Sequence, residues 1–312
     1  MSNDKEVPHE IASESSKRHE CVHPMTATAM LLFATVIWGW TFTVVKDAVD
    51  AYPLLWFLAI RFAIGSSVLV VVRFRKLLDL SLWRAGLPIG LAMAGGYYFQ
   101  TVGLQTTTST NCGLITGLFV VFAPLTAWIV YRRGVSPKII VAIGIALAGL
   151  YLLVGIDPDS LRAGDFLTLI AAFGFGLHIT LLDHRGRGRD PVALAAVQML
   201  ITALIFFVAA VCSSKGTPPP ALTPFVWWAV LLTGILATAV CFAMQTTAQQ
   251  SLPGARVAVI LTMEPVFAAI FGYSLHGDRL QAIQWFGGGL IVAAMLATEL
   301  IELKPKNDTD DS

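Results

Sequence analysis

Charge is what this sequence has least of. Only 13 % of its 312 residues are Asp, Glu, Lys or Arg, whereas 56 % are hydrophobic. A soluble domain carries about 25 % charged residues, so the composition excludes a soluble domain of this size. High hydrophobicity argues against intrinsic disorder. A formal net charge of +1 argues against nucleic acid as a partner, because binding it requires a basic surface.

Cysteine, metal and nucleotide motifs are scarce as well. Four cysteines are scattered without a CxxC pair, which indicates neither a disulfide framework nor a zinc site. We therefore expect no metal and no cofactor. No G-x-x-x-x-G-K-[ST] sequence occurs, so nucleotide-driven pumping is not predicted. The apolar runs hold no H-E-x-x-H motif and no paired Asp, and we expect no enzymatic activity.

Long apolar runs dominate the rest of the chain. A helix of about 20 apolar residues crosses a bilayer, and closed barrels would need shorter, alternating strands. The sequence therefore predicts an all-α integral membrane protein with ten transmembrane helices. The predicted spans are Met25–Val45, Leu54–Val72, Ala85–Leu104, Thr110–Tyr131, Pro137–Gly155, Gly164–Leu182, Val192–Cys212, Pro224–Thr246, Ala255–Leu275 and Leu280–Leu300. In the third span, Pro88, Gly95 and Gly96 are expected to interrupt the helix.

The remaining charges predict an orientation. Residues 1–24 and 304–312 are polar and are predicted to be disordered tails. Basic residues concentrate in the loops after even-numbered spans, which marks those loops as cytoplasmic. They are Arg73, Arg75, Lys76, Arg84, Arg132, Arg133, Lys138, Arg185, Arg187, Arg189 and Arg256. Both termini are then cytoplasmic, and we expect a multi-pass protein of the inner (cell) membrane.

The two halves of the chain look related. Pro124 in span 4 and Pro265 in span 9 are each followed by a loop glycine and a glycine-containing helix. The glycine pairs, Gly134 with Gly277 and Gly144 with Gly287, are each 143 residues apart. Five helices per copy is an odd number, so the second copy enters the membrane from the opposite side. We predict two inverted repeats, 25–155 and 161–303, around a central cavity, as in secondary transporters.

Five short motifs follow one another along the ten spans. They are Trp38-Gly39-Trp40-Thr41-Phe42 with Lys46; Arg61-Phe62; Gly117-Leu118 and Pro124 with Gly144, Gly149 and Leu150; Gly164-Asp165 with His178 and Gln198; and Glu264-Pro265-Val266-Phe267 with Gly272, Gly277 and Gly287. In this order they resemble the drug/metabolite transporter superfamily, specifically its EamA-type ten-helix exporters. Asp278 replaces the usual Glu of the last loop.

The resemblance implies secondary export or exchange of a small-molecule substrate by alternating access, with amino acids or related compounds as preferred cargo. It also implies a cavity formed mainly by helices 1, 3, 4, 6, 8 and 9. We expect a monomer in the lipid bilayer, with protons as a candidate coupling ion. The alternatives are a nucleotide-sugar or phosphosugar antiporter, which should carry more cations in its spans, and a non-transporting membrane sensor or structural protein.

Two charges lie deep inside spans. Glu264 is central in span 9, where an ionised group costs about 2.5–3.5 kcal/mol to insert. It is a candidate for substrate-amine contact or proton coupling, or for a helix-packing hydrogen bond. Arg61 in span 2 is a candidate partner for a substrate carboxylate or for backbone carbonyls. The two side chains are also candidates for an ion pair with each other.

Other residues are candidates for lining the cavity. Trp38 and Trp40 lie two residues apart on span 1, so at most one of them should face it. The remaining candidates are Tyr97, Tyr98, Gln100, His178 and Gln245. For these polar groups, interhelical hydrogen bonding is the alternative. Pro124 and Pro265 are predicted to bend their helices, either as gates or as fixed kinks.

Overall fold

A computed structural model describes residues 22–132, 134, 136–154, 162–215, 217–276 and 281–303 of the chain. The predicted tails, apart from residues 22–24, and the ends of the predicted spans at Gly155 and Leu280 lie outside these ranges. Within them the regular structure is helical throughout. The helices are α1 (Pro24–Ala51), α2 (Leu54–Arg73), α3 (Leu80–Thr106), α4 (Ser109–Thr116), α5 (Phe119–Tyr131), α6 (Pro137–Val154), α7 (Ala163–Arg185), α8 (Pro191–Ser213), α9 (Pro224–Leu231), α10 (Cys241–Ala248), α11 (Gly254–Leu261), α12 (Met263–His276) and α13 (Ala282–Leu303).

Seven continuous helical stretches among the described residues are long and apolar enough to cross a membrane. Shorter apolar segments lie at 140–152 and 282–294, and α3 is long but more polar. The outward faces expose large apolar side chains such as Val71, Leu204 and Phe207, which a water-soluble fold would bury. The prediction of an all-α multi-pass membrane protein is confirmed.

The third span is not interrupted, contrary to the prediction. Helix α3 continues from Leu80 to Thr106 with Pro88 inside it. Gly96 marks a close contact instead: a Cβ built there would lie 2.9 Å from the Phe175 ring on α7. Because α7 packs along α3, the small residue serves helix packing rather than a break.

The interruptions occur in spans 4, 8 and 9, which the sequence predicted as single helices. Span 4 divides into α4 and α5 at Gly117 and Leu118, and span 9 divides into α11 and α12 at Thr262. Span 8 continues from α9 to α10 through a π-helical segment, Leu232–Val240. Such wide turns leave carbonyl groups without their usual helical partners and often occur at functional sites.

The helices pack in corresponding pairs. Helix α2 packs along α8, and α6 packs along α13. Helix α3 packs along α7, while α1 packs against α10. Helix α1 also contacts α12, and α7 also contacts α5. All of these contacts join the first half of the chain to the second, and each either joins two equivalent helices or has a matching contact elsewhere; the inverted repeat stays a prediction.

Two glycines permit the close crossings beside the centre of the molecule. A Cβ at Gly234 would lie 3.0 Å from the Arg61 carbonyl oxygen, and a Cβ at Gly90 would lie 2.9 Å from the Gln198 carbonyl oxygen. Both distances leave no room for a side chain. Arg61 and Gln198 are thereby held at fixed depths, against the π-helical segment and against α3.

Candidate functional site

A cavity lies between the helices at the centre of the molecule. Its walls come from spans 1, 2, 3, 4, 6, 8 and 9, and about 60 Å³ is open to the centres of water-sized molecules. Since about 10–15 Å³ of such space holds one water, the cavity in this conformation fits a small solute. It is lined by Trp38, Thr41, Phe42, Val45, Arg61, Tyr97, Gln100, Leu104, Thr116, Phe119, Phe175, His178, Ile179, Phe242, Gln245, Leu261 and Glu264.

Trp38 faces this cavity and Trp40 does not. The Trp38 indole Nε1 donates a hydrogen bond to the Ala237 carbonyl oxygen at 2.8 Å, and its ring lies 5.0 Å from Phe242. Two residues along a helix turn the side chain by about 200°. Trp40 therefore points elsewhere and packs edge-on against Trp228 at 6.3 Å, so its assignment to the cavity is corrected.

Tyr97 and Tyr98 separate in the same way. Tyr97 is buried in the cavity wall, with its ring 4.9 Å from Phe62 and 5.2 Å from Phe175. Tyr98 is 41 % exposed and borders a second, outer pocket beside Trp56. Its assignment to the central cavity is corrected too, because the next helical position turns its ring outward.

Arg61 is buried, and its guanidinium group reaches the cavity. Its Nε donates to Thr238 Oγ1 at 2.9 Å, and its Cζ lies 4.9 Å from the centre of the Tyr97 ring, a cation–π contact. Thr238 belongs to the π-helical segment. Within the described residues Arg61 forms no ion pair with Glu264, so the anticipated pairing of these two charges is not present.

Glu264 lies in the first turn of α12 and is 8 % exposed. Its backbone is held by α1, since a Cβ at Gly39 would lie 2.9 Å from the Glu264 carbonyl oxygen. Among the described side chains, none forms a hydrogen bond or ion pair with its carboxyl group. A buried carboxyl group with free acceptor capacity therefore faces the cavity.

His178 is tied to two other helices. Its Nε2 lies 2.8 Å from Gln198 Oε1, and Gln198 Nε2 donates to Thr246 Oγ1 at 3.2 Å. All three residues are buried. This chain of side chains connects α7, α8 and α10, and only His178 belongs to the cavity wall.

Two amides complete the polar lining. Gln100 Nε2 donates to Thr116 Oγ1 at 3.1 Å, which leaves its Oε1 unengaged. Gln245 is buried, and its Oε1 accepts no hydrogen bond from the part of the chain that is described. Gln100 Oε1 and the Glu264 carboxyl group are therefore free acceptors in the wall, whereas Gln245 Oε1 is shielded from solvent.

The two prolines sit just after the helix interruptions. Pro265 is in the first turn of α12, three residues beyond the break at Thr262, and Pro124 lies inside α5, beyond the break at Gly117 and Leu118. A proline removes the hydrogen bond to the carbonyl four residues earlier. Their role in bending remains a prediction.

Several residues in or near the cavity were not predicted from the sequence. Phe175 and Phe242 contribute aromatic rings to the cavity wall. Lys46 Nζ donates to the carbonyls of Leu104 and Thr107 and so links α1 to the end of α3. Asp165, the acidic residue of a quoted motif, accepts from Thr107 Oγ1 at 2.5 Å. Apolar residues in all-apolar helices carry no signal of which face turns inward.

One charge was assigned to the wrong environment. Arg256, counted among the cytoplasmic loop residues, is 3 % exposed in the first turns of α11. The loop ends at Pro253, so the chain is already helical at Arg256.

No group of three or more His, Cys, Asp and Glu side chains forms a metal site in the described ranges.

A bundle of apolar helices that crosses a membrane repeatedly around a small polar cavity is the architecture of a solute transporter. The EamA-like transporter family matches residues 25–155 and 162–299. The chain belongs to this family, and the predicted resemblance is confirmed. It is therefore a multi-pass membrane protein of a transporter family, with a small-molecule substrate and the lipid bilayer as partners.

Relatives with curated names agree. An uncharacterized transporter of Archaeoglobus fulgidus is 34 % identical over 90 % of this chain and 88 % of its own length. Uncharacterized transporter YwfM of Bacillus subtilis is 24 % identical, over 88 % of this chain and 94 % of its own. The threonine/homoserine exporter RhtA of Escherichia coli is 27 % identical, over 78 % of this chain and 80 % of its own.

The fold has been seen before. A protein of known crystal structure, 17 % identical in sequence, aligns with a TM-score of 0.72 over 91 % of this chain and 99 % of its own. At this identity the likeness concerns the fold alone.

Proposed function

We propose that this protein exports or exchanges small metabolites, amino acids or related compounds, by alternating access. One observation carries the proposal: the central cavity holds Arg61 and Glu264 without an ion pair between them. A zwitterion offers each of them a partner, the carboxylate for Arg61 and the ammonium for Glu264. Charge-assisted hydrogen bonds of this kind are about twice as strong as neutral ones.

The surroundings of Arg61 support this assignment. Its Nε is already used by Thr238 and Tyr97 forms a side-chain hydrogen bond with the guanidinium, so the N–H groups that these two residues leave unused remain for a ligand. Tyr97 lies against the guanidinium and adds a hydroxyl group beside it. Arg61 and Tyr97 thus supply the groups that receive a carboxylate, while Glu264 and Gln100 supply acceptors for N–H donors.

We also propose an orientation in the membrane, an oligomeric state and a coupling ion. We place both termini in the cytoplasm of a cell with this protein in its inner membrane, because basic residues concentrate in the even-numbered loops. We take the protein to act as a monomer without enzymatic activity, and protons to be the coupling ion. The resemblance of the chain to RhtA, named for threonine and homoserine export, supports an amino-acid cargo.

Two alternatives make different demands on the cavity. A nucleotide-sugar or phosphosugar antiporter needs several cations to bind phosphate, and Arg61 is the cation in the described lining. A non-transporting membrane sensor or structural protein would be favoured by a cavity too small for a metabolite, whereas this one fits a small solute. For transport of a larger cargo, the lining helices must move apart.

Flux measurements separate these functions. Purified protein is reconstituted into vesicles, and uptake of labelled amino acids is measured with an imposed pH gradient, with an imposed amino-acid gradient, and with neither. The proposal expects gradient-driven or exchange-driven uptake. Absence of flux for every amino acid, together with ligand binding that leaves the vesicle contents unchanged, would favour the sensor.

Glu264 provides the sharpest variant. Glu264→Gln keeps the size of the side chain and removes its charge, so we expect loss of most flux or a changed pH profile while expression persists. Asp50→Asn is the matched control, because Asp50 is exposed near the end of α1. A Glu264→Gln protein with wild-type flux at every pH would exclude both a substrate and a proton role.

A further inference from the structure

We infer that His178 binds the ligand through Nδ1 as a hydrogen-bond acceptor, and that the ligand carries a hydroxyl or N–H donor in addition to its ammonium group. Gln198 and Thr246 act as positioning residues that fix the His178 ring. This inference rests on the proposed function and narrows its substrate class.

The hydroxyl hydrogen of Thr246 can be placed from one contact. Thr246 Oγ1 lies 2.7 Å from the Phe242 carbonyl oxygen one turn earlier. Two oxygens at this distance require a hydrogen between them, and a carbonyl has none to give. The Thr246 hydroxyl therefore donates to Phe242, and its oxygen serves as an acceptor.

The orientation of the Gln198 amide group follows from this. Only the amide nitrogen can donate to the Thr246 oxygen, at 3.2 Å. Gln198 Oε1 therefore faces His178, and an amide oxygen can only accept. The atom opposite it, His178 Nε2 at 2.8 Å, must carry the hydrogen.

The other ring nitrogen of His178, Nδ1, is then a hydrogen-bond acceptor. A neutral imidazole with hydrogen on Nε2 has a lone pair on Nδ1. The buried position of all three residues keeps water from competing for the Gln198 contact. His178 is the member of this chain that lines the cavity, so the acceptor left for a ligand is Nδ1.

A ligand that suits this wall has a donor beyond its ammonium group. Arg61 and Tyr97 receive the carboxylate, and Glu264 supplies the counter-charge for the ammonium. His178 Nδ1 is then a neutral acceptor for a side-chain O–H or N–H. An apolar side chain would leave this buried acceptor unpaired, which disfavours its binding.

Threonine and valine are the probes, because they differ by a hydroxyl in place of a methyl. Binding of each to the purified full-length protein is measured by titration in detergent. We expect threonine to bind about three- to tenfold more tightly than valine, the effect of one neutral hydrogen bond. Equal affinities would overturn this inference and leave the proposed function standing. Failure of all amino acids to bind would overturn both.

Two variants test the positioning chain. Gln198→Leu releases the ring, and His178→Phe removes both nitrogens while keeping a flat ring. In each, the preference for threonine over valine should disappear. If both affinities fall by the same factor, His178 and Gln198 have only a structural role and the inference is wrong.

The tautomer itself has a spectroscopic signature that needs no ligand. The ¹⁵N spectrum of histidine-labelled protein distinguishes a protonated from an unprotonated ring nitrogen, and the His178→Phe variant identifies the signals among the six histidines. We expect hydrogen on Nε2, and a shift of the Nδ1 signal when threonine is added. Hydrogen on Nδ1 in the wild-type protein would overturn the inference.

Discussion

Arg61 and Gln198 occupy corresponding places on α2 and α8, two helices that each begin next to a proline. Beneath each residue a glycine of another span approaches its carbonyl oxygen, Gly234 beneath Arg61 and Gly90 beneath Gln198. The backbones of the two crossings are therefore built alike. Their side chains differ: Arg61 brings a charge to the cavity, whereas Gln198 is uncharged and hydrogen-bonds His178.

The difference shows how a symmetric framework acquires a polar site. The crossings place both side chains beside the centre, and the identity of each residue then decides what is offered to a ligand. Glu264 and Ala123, each followed by a proline, differ in the same manner. The Ala123 carbonyl accepts from the hydroxyl groups of Thr126 and Thr180, while Glu264 adds a carboxyl group that no described side chain engages.

The largest effect is expected when the charged crossing is made like the neutral one. Arg61→Gln removes the guanidinium, and ligands with a carboxylate should bind about 10- to 100-fold more weakly, the worth of a hydrogen bond to a charged group. Titration of the purified variant measures this. Arg75→Gln, at an exposed position just after α2, is the control, and unchanged affinity in Arg61→Gln would remove Arg61 from the binding site.

Adding a side chain at each of the two glycines should show that the two crossings differ in function. Gly234→Val and Gly90→Val both force a side chain against a backbone carbonyl, and each should lower stability by about 1–3 kcal/mol, measured as a lower melting temperature in detergent. Gly234→Val should also weaken binding of every carboxylate ligand. Gly90→Val should instead reduce the preference for threonine over valine. The same binding defect in both would show that the crossings do not differ in function.

A smaller effect is expected for the residue that holds Arg61. Thr238→Val removes the acceptor for Arg61 Nε, and binding should weaken about three- to tenfold. Thr233→Val is the matched control in the same π-helical segment, because Thr233 donates only to the Ala229 carbonyl. If both variants bind alike, Thr238 does not position the guanidinium.

The smallest effect lies outside the membrane, at the start of α3. The Ser81 backbone N–H and hydroxyl bind the Asp79 carboxylate and hold the pKa of Asp79 below its usual range. Its stabilisation is therefore present at neutral pH and is lost as the pH falls through this lowered pKa. Asp79→Asn should leave the neutral melting temperature almost unchanged and remove part of its acid dependence. An identical pH profile in both proteins would contradict this.

The all-helical membrane fold was predictable because its signal is composition over long windows. Within the described ranges the predicted spans coincide with helix except at the breaks in spans 4 and 9, and the family resemblance rested on five motifs in a fixed order. The inverted repeat and the orientation of the helices in the membrane both stay predictions. Arg61, Tyr97, Gln100, His178, Gln245 and Glu264 stood out in the sequence because polar groups are rare inside apolar helices.

The facing of each residue was less predictable. An amphipathic helix reveals its inner face by periodicity, but these helices are apolar on all sides. Trp40 and Tyr98 were therefore assigned beside Trp38 and Tyr97 although they point away. The breaks in spans 4 and 9 and the π-helical segment depend on packing between helices, so no local pattern marked them.

The π-helical segment Leu232–Val240 acts as a phase shifter within span 8. One extra residue in a helical turn rotates everything that follows by about 100° relative to a regular α-helix. The Ala237 carbonyl within it accepts the hydrogen bond from Trp38, and the rotation sets the angle at which Phe242 and Gln245 meet the cavity. Shortening this segment by one residue would preserve a membrane-spanning helix and turn its cavity face toward other neighbours.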